Sequence, residues 1–562
     1  MKPIDRKMTV LVLGLAAVLF LSFLGSVGIF DPEEGRHVAI PVAMLRTGDF
    51  VVPHLQGFPY LEKPPLTYWL TAGSFALLGR SETTARLPVA LMGLLGTLAV
   101  FWMARSRMGP RVAWIAAGLS VLTTQWFVQS RYLTTDMILA GWITVALAAF
   151  LVAATTGRRR LYWVFYLAVA LATLAKGIIG FLLPGMIVVL FIALTGRWHL
   201  LREMHLLPGS LLAGAVVLPW FFLVQARLPD FFRYFIFDQH VARYVSETAE
   251  HAKPIWFFLP VVALGFFPWT AYLPFVNSGV SGREAGATGS GPAARFRPEN
   301  VFLWTWFGVI FLFFSASKGK LMPYVLPAYP PLAILLAQLF ARLRGPGSDA
   351  AARAVRRGSW IVAGTYLLLA PAAFLAARRM ARSDGRIALA DLGFWPWALI
   401  GLLAVAGVGV LLLTAVRRPI ASLAFLATIH LLFYGTLLGA ARAADPYLGP
   451  VSLGRKLAEV VRPQDRVILF ELQQPSMEFY LGRPPMLVNW MGEYEYGILI
   501  QPNPELFDPD PAAIRSLVDT DEDVYVIVKN SDPSFPEAFG VPMKVVAANR
   551  KRTVYRNHPE RP

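Results

Sequence analysis

The sequence predicts a polytopic α-helical membrane protein that carries a small α/β domain at its C-terminal end. Two compositional observations support this fold class: 56% of the 562 residues are hydrophobic, and only 15% are charged. An average soluble domain has about 25% charged residues, so the composition excludes an ordinary cytosolic enzyme. The third observation is a change near residue 442, where long apolar runs give way to short ones separated by Pro- and Asp-rich turns.

The long apolar runs divide residues 1–441 into candidate membrane spans. A helix that crosses the hydrocarbon core needs about 20 apolar residues. The thirteen candidates lie at 8–29, 84–104, 112–128, 136–156, 161–175, 178–196, 207–226, 255–276, 301–315, 322–341, 359–377, 394–416 and 419–441. The first run is too long for a signal peptide and no small-x-small cleavage site follows it, so we expect it to be retained.

Basic residues in the short loops predict the orientation, because Lys and Arg accumulate on the cytoplasmic side of a membrane. Every second loop is basic and has few acids: Arg105, Arg107 and Arg111; Arg158 to Arg160; Arg197 and Arg202; Arg283, Arg295 and Arg297; Arg342, Arg344, Arg353, Arg356 and Arg357; and Arg417 and Arg418. One loop, with Arg378, Arg379, Arg382 and Arg386, departs from the pattern. We expect a cytoplasmic N-terminus and an external C-terminus, and attribute much of the +17 net charge to topology rather than to nucleic-acid binding.

The C-terminal part, residues 442–562, is predicted to be a small α/β domain on the outer face. Leu457–Val461 has a helical pattern, and Arg466–Phe470 and Val524–Val528 have the composition of buried strands. The domain contains no Gly-rich phosphate loop, and Asn277–Pro298 is predicted to be a flexible linker on the inner face. The chain has no Cys, which excludes disulfides, zinc–thiolate sites, iron–sulfur clusters and a Cys nucleophile.

The first outer loop, residues 30–83, is far longer than a connection between two helices needs to be. It begins with Asp31-Pro-Glu-Glu-Gly-Arg36 and continues with a largely apolar stretch from His37 to Leu45, which we expect to lie along the membrane interface. Leu66 to Gly79 is aromatic and apolar but short for a span, so it is predicted to be a second juxtamembrane helix.

Further charged residues fall at the outer ends of other predicted spans. They are Arg131 and Asp136, Lys176, then Asp238, His240 and Arg243, and finally Lys318 and Lys320 next to Tyr324. A single Lys or Arg in such a position commonly reaches into the lipid headgroups and has no further role. An acid at the edge of an apolar helix is costly unless it is paired or functional. Because these groups share one side of the membrane, we expect a polar cavity whose cations suit phosphate and whose carboxylates suit an amino sugar.

Several motifs resemble those of the bacterial aminoarabinose transferases that modify lipid A. They are Asp31-Pro-Glu-Glu-Gly-Arg36, Met44-Leu-Arg-Thr-Gly-Asp49-Phe-Val-Val-Pro53-His54, Tyr60-Leu-Glu62-Lys63-Pro64-Pro65, Leu133-Thr-Thr-Asp136, Ala175-Lys176-Gly177, Asp238-Gln-His240-Val-Ala-Arg243-Tyr244 and Ser317-Lys318-Gly-Lys320-Leu-Met-Pro323-Tyr324. That family belongs, with the protein O-mannosyltransferases, to the membrane glycosyltransferases of GT-C fold. The resemblance covers most of the membrane part and is weaker in the C-terminal domain. It implies a GT-C fold, a polyprenyl-phosphate sugar donor, inverting transfer and an active site on the outer face.

The resemblance also implies roles for individual residues. Glu33 and Glu34 stand where the family has an Asp-Glu pair, so the catalytic position carries a side chain one methylene longer, and Asp136 matches a second acid of the site. Lys63 and Arg243 match positions that hold the lipid phosphate. The other candidates for substrate or lipid-phosphate binding are Arg36, Tyr60, Arg131, Lys318, Lys320 and Tyr324. Glu62 and His240 match a metal site; both are acceptable zinc ligands, and water, phosphate or another residue would complete the coordination.

The expected reaction transfers a pentose of the 4-amino-4-deoxy-L-arabinose type from undecaprenyl phosphate to lipid A phosphate, at the periplasmic face of the bacterial inner membrane. We expect the protein to act as a monomer among membrane lipids and to bind no nucleic acid. With an ionised phosphate as acceptor, Glu33 or Asp136 would orient the sugar and stabilise an oxocarbenium-like transition state. With a hydroxyl of a protein or another envelope glycan as acceptor, Glu33 would be the general base.

Two other classes of protein are alternatives to the enzyme. A flippase or transporter of lipid-linked sugars would place its charges near the bilayer midplane, whereas the charges here are predicted at the outer rim. A scaffold or receptor would carry its recognition in the C-terminal domain and would tolerate the loss of the acids in the first loop.

Overall fold

The computed structural model describes residues 3–242, 252–277, 297–344, 348–380, 389–449, 451–530, 539–558 and 560. A bundle of long helices makes up most of this part and is joined to a mixed sheet near the C-terminal end. Up to residue 448, the described α-helices are α1 Pro3–Leu21, α2 Glu33–Thr47, α3 Leu66–Leu78, α4 Glu82–Arg107, α5 Pro110–Val121, α6 Thr124–Gln129, α7 Thr135–Thr156, α8 Leu161–Lys176, α9 Ile179–Thr195, α10 Leu200–Glu203, α11 Leu206–Arg227, α12 Phe258–Gly265, α13 Pro298–Ala316, α14 Tyr329–Ala341, α15 Ser348–Met380, α16 Trp395–Ala415 and α17 Pro419–Leu448. A π-helix, Arg233–Ala242, follows α11.

Among the described helices, eight are long and apolar enough to cross a membrane: α4, α7, α11, α13, the segment Met322–Arg344 that contains α14, and α15 to α17. A ninth is the bent pair Ile255–Gly265 and Trp269–Phe275, if it counts as one span. Helices α8 and α9 are apolar but shorter. The predicted class of a polytopic helical membrane protein is therefore confirmed, and the number thirteen stays a prediction.

Three predicted spans differ from the helices observed. Residues 112–128 form two helices, α5 and α6, and residues 255–276 bend by 108° between their two helical parts. Helix α1 ends eight residues before the predicted end at residue 29. Two arginines hold the end of α1 and the unwound segment beyond it: Arg131 donates to the carbonyls of Leu19 and Ser22, and the buried Arg86 donates to carbonyls within residues 24–28.

Helix α7 runs through the centre of the bundle. Its Ile143, Leu147 and Phe150 side chains are fully buried, and it packs against α4 and α8. We call the end of the bundle at which α7 begins the site face, because Asp136 lies there in the first turn. The end at which α7 finishes is the opposite face.

The first loop folds at the site face into the two predicted short helices, α2 and α3. A small hairpin, β1 His54–Leu55 and β2 Phe58–Pro59, lies between them. Helix α2 begins at Glu33, four residues before the predicted start, so the acidic pair occupies the first turn, where the helix dipole favours negative charge.

The C-terminal domain is a six-stranded mixed sheet with short helices. Its strands are β3 Arg466–Phe470, β4 Met486–Val488, β5 Phe507–Asp508, β6 Val524–Lys529, β7 Lys544–Ala548 and β8 Arg552–Arg556, in the order β5-β4-β3-β6-β8-β7. The first four are parallel, and β8 is antiparallel to both β6 and β7. The helices are α18 Val451–Val460, α19 Ser476–Leu481, α20 Glu495–Ile500 and α21 Ala513–Val518. The two predicted strands are confirmed as β3 and β6, and α17 continues past the predicted domain boundary to Leu448.

The C-terminal domain and the first loop share one hydrophobic core. Ile40 and Met44 of α2 and Tyr68 of α3 lie in the same buried cluster as Leu469 and Met477 of the C-terminal domain. The sheet domain is thus docked on α2 and α3, and it can contribute side chains to a site formed by the first loop.

A close backbone approach fixes this docking at Gly35. A Cβ atom at this position would lie 2.8 Å from the backbone nitrogen of Ser476 and against the carboxylate of Asp31. That carboxylate accepts hydrogen bonds from the amide and the hydroxyl of Ser476. Burial raises the pKa of Asp31 to about 6, although Arg552 opposes the shift.

Candidate active site

The first turn of α2 places Glu33 beside Arg36. Arg36 Nη2 donates to Glu33 Oε1 at 2.8 Å, and Arg36 Nη1 donates to the Tyr60 hydroxyl at 3.1 Å. The Arg36 side chain is 7% exposed, whereas that of Glu33 is 46% exposed. The structure therefore brings three predicted site residues together and leaves the carboxylate of Glu33 accessible.

Two lysines from different parts of the chain also act on Glu33. Burial alone would raise the pKa of Glu33, but the positive charges of Arg36, Lys63 and Lys176 hold it below its ordinary value. Lys63 follows the predicted residue Glu62, and their charged groups lie 3.5 Å apart. Glu33 is therefore an ionised carboxylate that faces several cations.

Asp136 enters the same group of residues through Lys176. The ammonium of Lys176, at the end of α8, forms an ion pair with the carboxylate of Asp136 at the start of α7. The same ammonium lies 4.6 Å from the centre of the Tyr324 ring, within the range of a cation–π contact. Two predicted site residues from distant segments, Asp136 and Tyr324, thus meet at Lys176, which the sequence predicts at the outer end of a span but not in the site.

The C-terminal domain contributes Glu493, which the sequence reasoning missed. Its carboxylate pairs with Arg36 Nη1 at 2.7 Å and accepts a hydrogen bond from Gln473 at 3.2 Å. Burial raises the pKa of Glu493, and the negative charges of Glu62 and Glu33 act in the same direction, while Arg36 opposes them. No local motif in the sequence marks Glu493, because its partner lies in the first loop. We call Glu33, Arg36, Tyr60, Glu62, Lys63, Asp136, Lys176, Tyr324 and Glu493 the rim cluster.

Glu34 has surroundings unlike those of its neighbour. It is fully buried, and each of its two oxygens accepts one hydrogen bond from Arg86, at 2.7 and 2.6 Å. The backbone amides of Phe30 and Leu133 complete its environment. Its predicted catalytic role is not supported, because the carboxylate is enclosed by these four donors and joins α2 to α4 and to the start of α7.

The charged groups of two predicted substrate-binding residues, Arg131 and Lys320, donate hydrogen bonds to backbone carbonyls. Arg131 donates to the carbonyls of Leu19 and Ser22 at the end of α1, and its guanidinium lies over the Phe127 ring. Lys320 is 3% exposed and donates to the carbonyls of Lys253 and Ser317. This geometry does not support phosphate binding by either residue. Lys318 is exposed at the same turn, so its predicted role remains untested.

Arg243 lies outside the described residues, as does the side chain of His240. The predicted roles of both stay predictions. Within the described residues, no group of three or more His, Cys, Asp and Glu side chains could hold a metal ion. Glu62 is therefore not shown to belong to a metal site, and zinc remains an expectation from the sequence.

Comparison with known proteins identifies the family. Residues 62–222 match the family described as dolichyl-phosphate-mannose-protein mannosyltransferase, and residues 453–557 match the aminoarabinose transferase C-terminal domain. The undecaprenyl phosphate-alpha-4-amino-4-deoxy-L-arabinose arabinosyl transferase of Pseudomonas paraeruginosa is 33% identical over 408 residues, which are 71% of this chain and 71% of that relative. The chain belongs to this arabinosyltransferase family. Its relative with the same name in Pectobacterium atrosepticum is 36% identical over 380 residues, 66% of this chain and 65% of the relative.

Solved structures agree with this assignment over nearly the whole chain. The crystal structure of ArnT from Cupriavidus metallidurans bound to undecaprenyl phosphate is similar with a TM-score of 0.83 and 27% identity, and covers 98% of both chains. The apo structure of the same protein gives a TM-score of 0.81 and 26% identity over the same share. The resemblance to a family of membrane glycosyltransferases is confirmed, and the match at 453–557 extends it to the C-terminal domain, where the sequence motifs are weaker.

Proposed function

We propose that this protein transfers 4-amino-4-deoxy-L-arabinose from undecaprenyl phosphate to a phosphate of lipid A. The observation that carries the proposal is the convergence of Glu33, Lys63, Lys176 and Asp136 in one cluster at the site face. The shared name of the relatives specifies the donor, and the undecaprenyl phosphate bound to the similar Cupriavidus protein supports a polyprenyl donor. The site face would then be periplasmic, with the N-terminus in the cytoplasm and the protein in the bacterial inner membrane.

The reaction exchanges one bond at the anomeric carbon of the sugar. The bond between that carbon and the donor phosphate oxygen breaks, and its electron pair stays with undecaprenyl phosphate. An acceptor phosphate oxygen forms the new bond from the other side, so the configuration inverts. We assign Lys63 and Lys176 to the developing negative charge of the leaving phosphate, since fixed cations next to a leaving group stabilise the transition state.

We assign Glu33 to the positive charge that develops on the sugar during the reaction. Because its pKa is held low, it is ionised at neutral pH and is a weak base. A fixed carboxylate of this kind favours the ammonium of an amino sugar and the positive charge that develops at the anomeric carbon. An acceptor phosphate monoester has a second pKa of about 6 and needs no strong base. The electrostatics of Glu33 therefore favour a phosphate acceptor over a hydroxyl acceptor.

Asp136 and Arg36 are assigned positioning roles. Asp136 fixes the ammonium of Lys176 over Tyr324, and Arg36 holds Glu33 against Tyr60 and Glu493. The side chain of Asp136 is 10% exposed and that of Arg36 is 7% exposed, and both join segments that are far apart in sequence. They set where the reacting groups of Lys176 and Glu33 stand.

No step of this proposal is routed through a metal. When bound, a divalent ion would add positive charge at the leaving phosphate. Of its two predicted ligands, Glu62 lies 3.5 Å from the ammonium of Lys63, so its negative charge is already compensated in part. Chelation followed by addition of zinc tests this expectation separately from the roles of Glu33 and Lys63.

The experiment is transfer in vesicles that contain purified protein, lipid A and a radiolabelled polyprenyl-phosphate donor, with lipid A analysed by mass spectrometry. Glu33→Gln keeps the shape of the side chain and removes its charge, so we expect turnover to fall about 10²- to 10³-fold. The matched control is Glu203→Gln, because Glu203 pairs with Arg159 near the opposite face at 3.2 Å. Transfer by Glu33→Gln at the rate of the control would remove Glu33 from the chemistry, and absence of labelled lipid A with the unmodified protein would refute the proposed acceptor.

A further inference from the structure

A cavity with charged lining residues lies at the opposite face, away from the rim cluster. It has a volume of about 230 Å³ and lies between the first turns of α15, the end of α16 and the start of α17. Helix α17 begins here and ends next to the C-terminal domain, so the cavity and the rim cluster lie at opposite ends of the bundle. The proposed transfer reaction makes no use of this cavity.

Four arginines line the cavity together with a single acid. They are Arg353 and Arg356 of α15 and Arg417 and Arg418 of the turn between α16 and α17, and the acid is Asp349. Within the described part of the chain, the guanidinium groups of these arginines make no ion pair or hydrogen bond. The excess positive charge is therefore available to an anion that enters the cavity.

Buried hydroxyl groups also line this cavity. Ser359 and Ser422 are at most 1% exposed, and their hydroxyl oxygens lie 3.4 Å apart, with the Tyr272 hydroxyl 3.0 Å from that of Ser359. Thr414 is 3% exposed, and its hydroxyl has no hydrogen-bond partner among the described residues. A buried hydroxyl without a partner is costly. Thr414 therefore offers a donor that only a bound group or water satisfies.

The start of α17 adds backbone donors. Pro419 is the first residue of this 30-residue helix, and the first intrahelical hydrogen bond is made by the amide of Ser422. The amides of Ile420 and Ala421 precede that bond. Together with the helix dipole, such amides favour an anion. The start of α17, the unpartnered Thr414 hydroxyl and the four arginines thus all favour a bound anion.

Exposed apolar residues indicate where the anion comes from. Trp360 of α15, Leu412 of α16, Val416 just after α16 and Ile420 of α17 lie one or two residues from lining residues of the cavity in the sequence, and each is 41–64% exposed. Because these helices are long and apolar enough to span a membrane, their exposed apolar residues are expected to contact lipid. An anion that reaches the cavity along this surface would therefore be the headgroup of a lipid with acyl chains.

We propose that this cavity binds the phosphate headgroup of an anionic phospholipid. Arginines match phosphate oxygens through paired hydrogen bonds, and the Thr414 hydroxyl gives a further donor. The apolar rim accommodates the acyl chains outside the cavity. The site anchors the α15–α17 part of the bundle to the leaflet that contains the basic loops.

Native mass spectrometry of the purified full-length protein tests this proposal with dioleoyl-phosphatidylglycerol and dioleoyl-phosphatidylcholine as probes. We expect at least one phosphatidylglycerol to bind about tenfold more tightly than phosphatidylcholine. The preference should disappear in Arg417→Gln/Arg418→Gln and weaken several-fold in Thr414→Val. The matched control is Arg357→Gln, because Arg357 is an exposed arginine of α15 that does not line the cavity.

Two results would overturn the proposal. Equal loss in the Arg357→Gln control would overturn the site, because it would show a response to total charge alone. Displacement of phosphatidylglycerol by inorganic phosphate at similar concentration would overturn the lipid assignment. Vesicle transfer serves as the folding check, since the double variant should transfer sugar at the unmodified rate when donor and lipid A are supplied.

Discussion

Glu33 and Glu34 are adjacent acids that the structure places in opposite circumstances, so their replacement should have opposite consequences. Glu33→Gln is expected to abolish most transfer while leaving stability nearly unchanged. Its ion pair with Arg36 involves a side chain that is 46% exposed, and such pairs contribute about 0–1 kcal/mol. Glu34→Gln is expected to lower stability first, because the Glu34 carboxylate is fully buried against Arg86.

The size of the Glu34 effect follows from its four donors. A carboxamide has one oxygen and one NH₂ group in place of the two carboxylate oxygens. The NH₂ group must therefore face two donors, one N–H of Arg86 and the backbone amide of either Phe30 or Leu133. The charge of Arg86, which is 3% exposed, is then left unpaired. Removal of one partner from a buried ion pair costs about 3–5 kcal/mol. With an unfolding entropy of about 2.1 cal/mol/K per residue over the 562 residues, the melting temperature should fall by about 3–4 °C.

The assay is thermal unfolding followed by tryptophan fluorescence, combined with vesicle transfer for the same two variants. The expected result is a shifted melting temperature for Glu34→Gln only, and a transfer defect for Glu33→Gln that persists at temperatures where both variants are folded. An unchanged melting temperature for Glu34→Gln together with a large loss of transfer would refute this reasoning. It would return Glu34 to the catalytic group that the sequence suggested.

Three further outcomes are expected. Lys176→Met should lower both transfer and melting temperature because it leaves Asp136 unpaired, and the double variant with Asp136→Asn should recover the melting temperature but not transfer. Glu493→Gln should reduce vesicle transfer about tenfold, because Arg36 loses a charge-assisted hydrogen bond of 2.7 Å; transfer equal to the unmodified protein would remove the C-terminal domain from the site. Glu478 of α19 is fully buried and pairs with Arg46 at 3.1 Å. Burial raises the pKa of Glu478 to about 7, although Arg46 opposes the shift, so the folded state binds this proton more tightly than the unfolded chain does. Stability from Glu478 is therefore present at low pH and is lost as pH rises through about 7, and the melting temperature of Glu478→Gln relative to the unmodified protein should rise from about pH 5 to about pH 8.

The sequence predicted the elements that depend on local pattern. Apolar runs located α7 and α16 to within one residue at each end, whereas α15 begins eleven residues before the predicted start at residue 359. The composition of the first loop predicted two juxtamembrane helices, and short apolar runs predicted β3 and β6. Each of these features is decided by residues close together in the chain, and tertiary contacts do not reverse them.

Features that depend on distant partners were not predictable. Helix α1 ends early because carbonyls of its last turn and of the residues after it accept hydrogen bonds from Arg131 and Arg86, and no pattern within residues 8–29 shows this. Neighbouring residues on a helix point about 100° apart, which separates Glu34 from Glu33, yet only the position of α4 decides which of the two is buried. Glu493 reaches Arg36 from the C-terminal domain, and nothing near either residue in the sequence connects them.

The central claim is that the rim cluster binds the phosphate of the polyprenyl donor. The most direct measurement is an experimental structure of this protein with undecaprenyl phosphate bound. We predict that the phosphate lies within hydrogen-bond distance of the Lys63 ammonium, on the same side of the cluster as the Glu33 carboxylate and Lys176. A phosphate bound elsewhere, with Lys63 and Lys176 still in their ion pairs with Glu62 and Asp136, would contradict the claim.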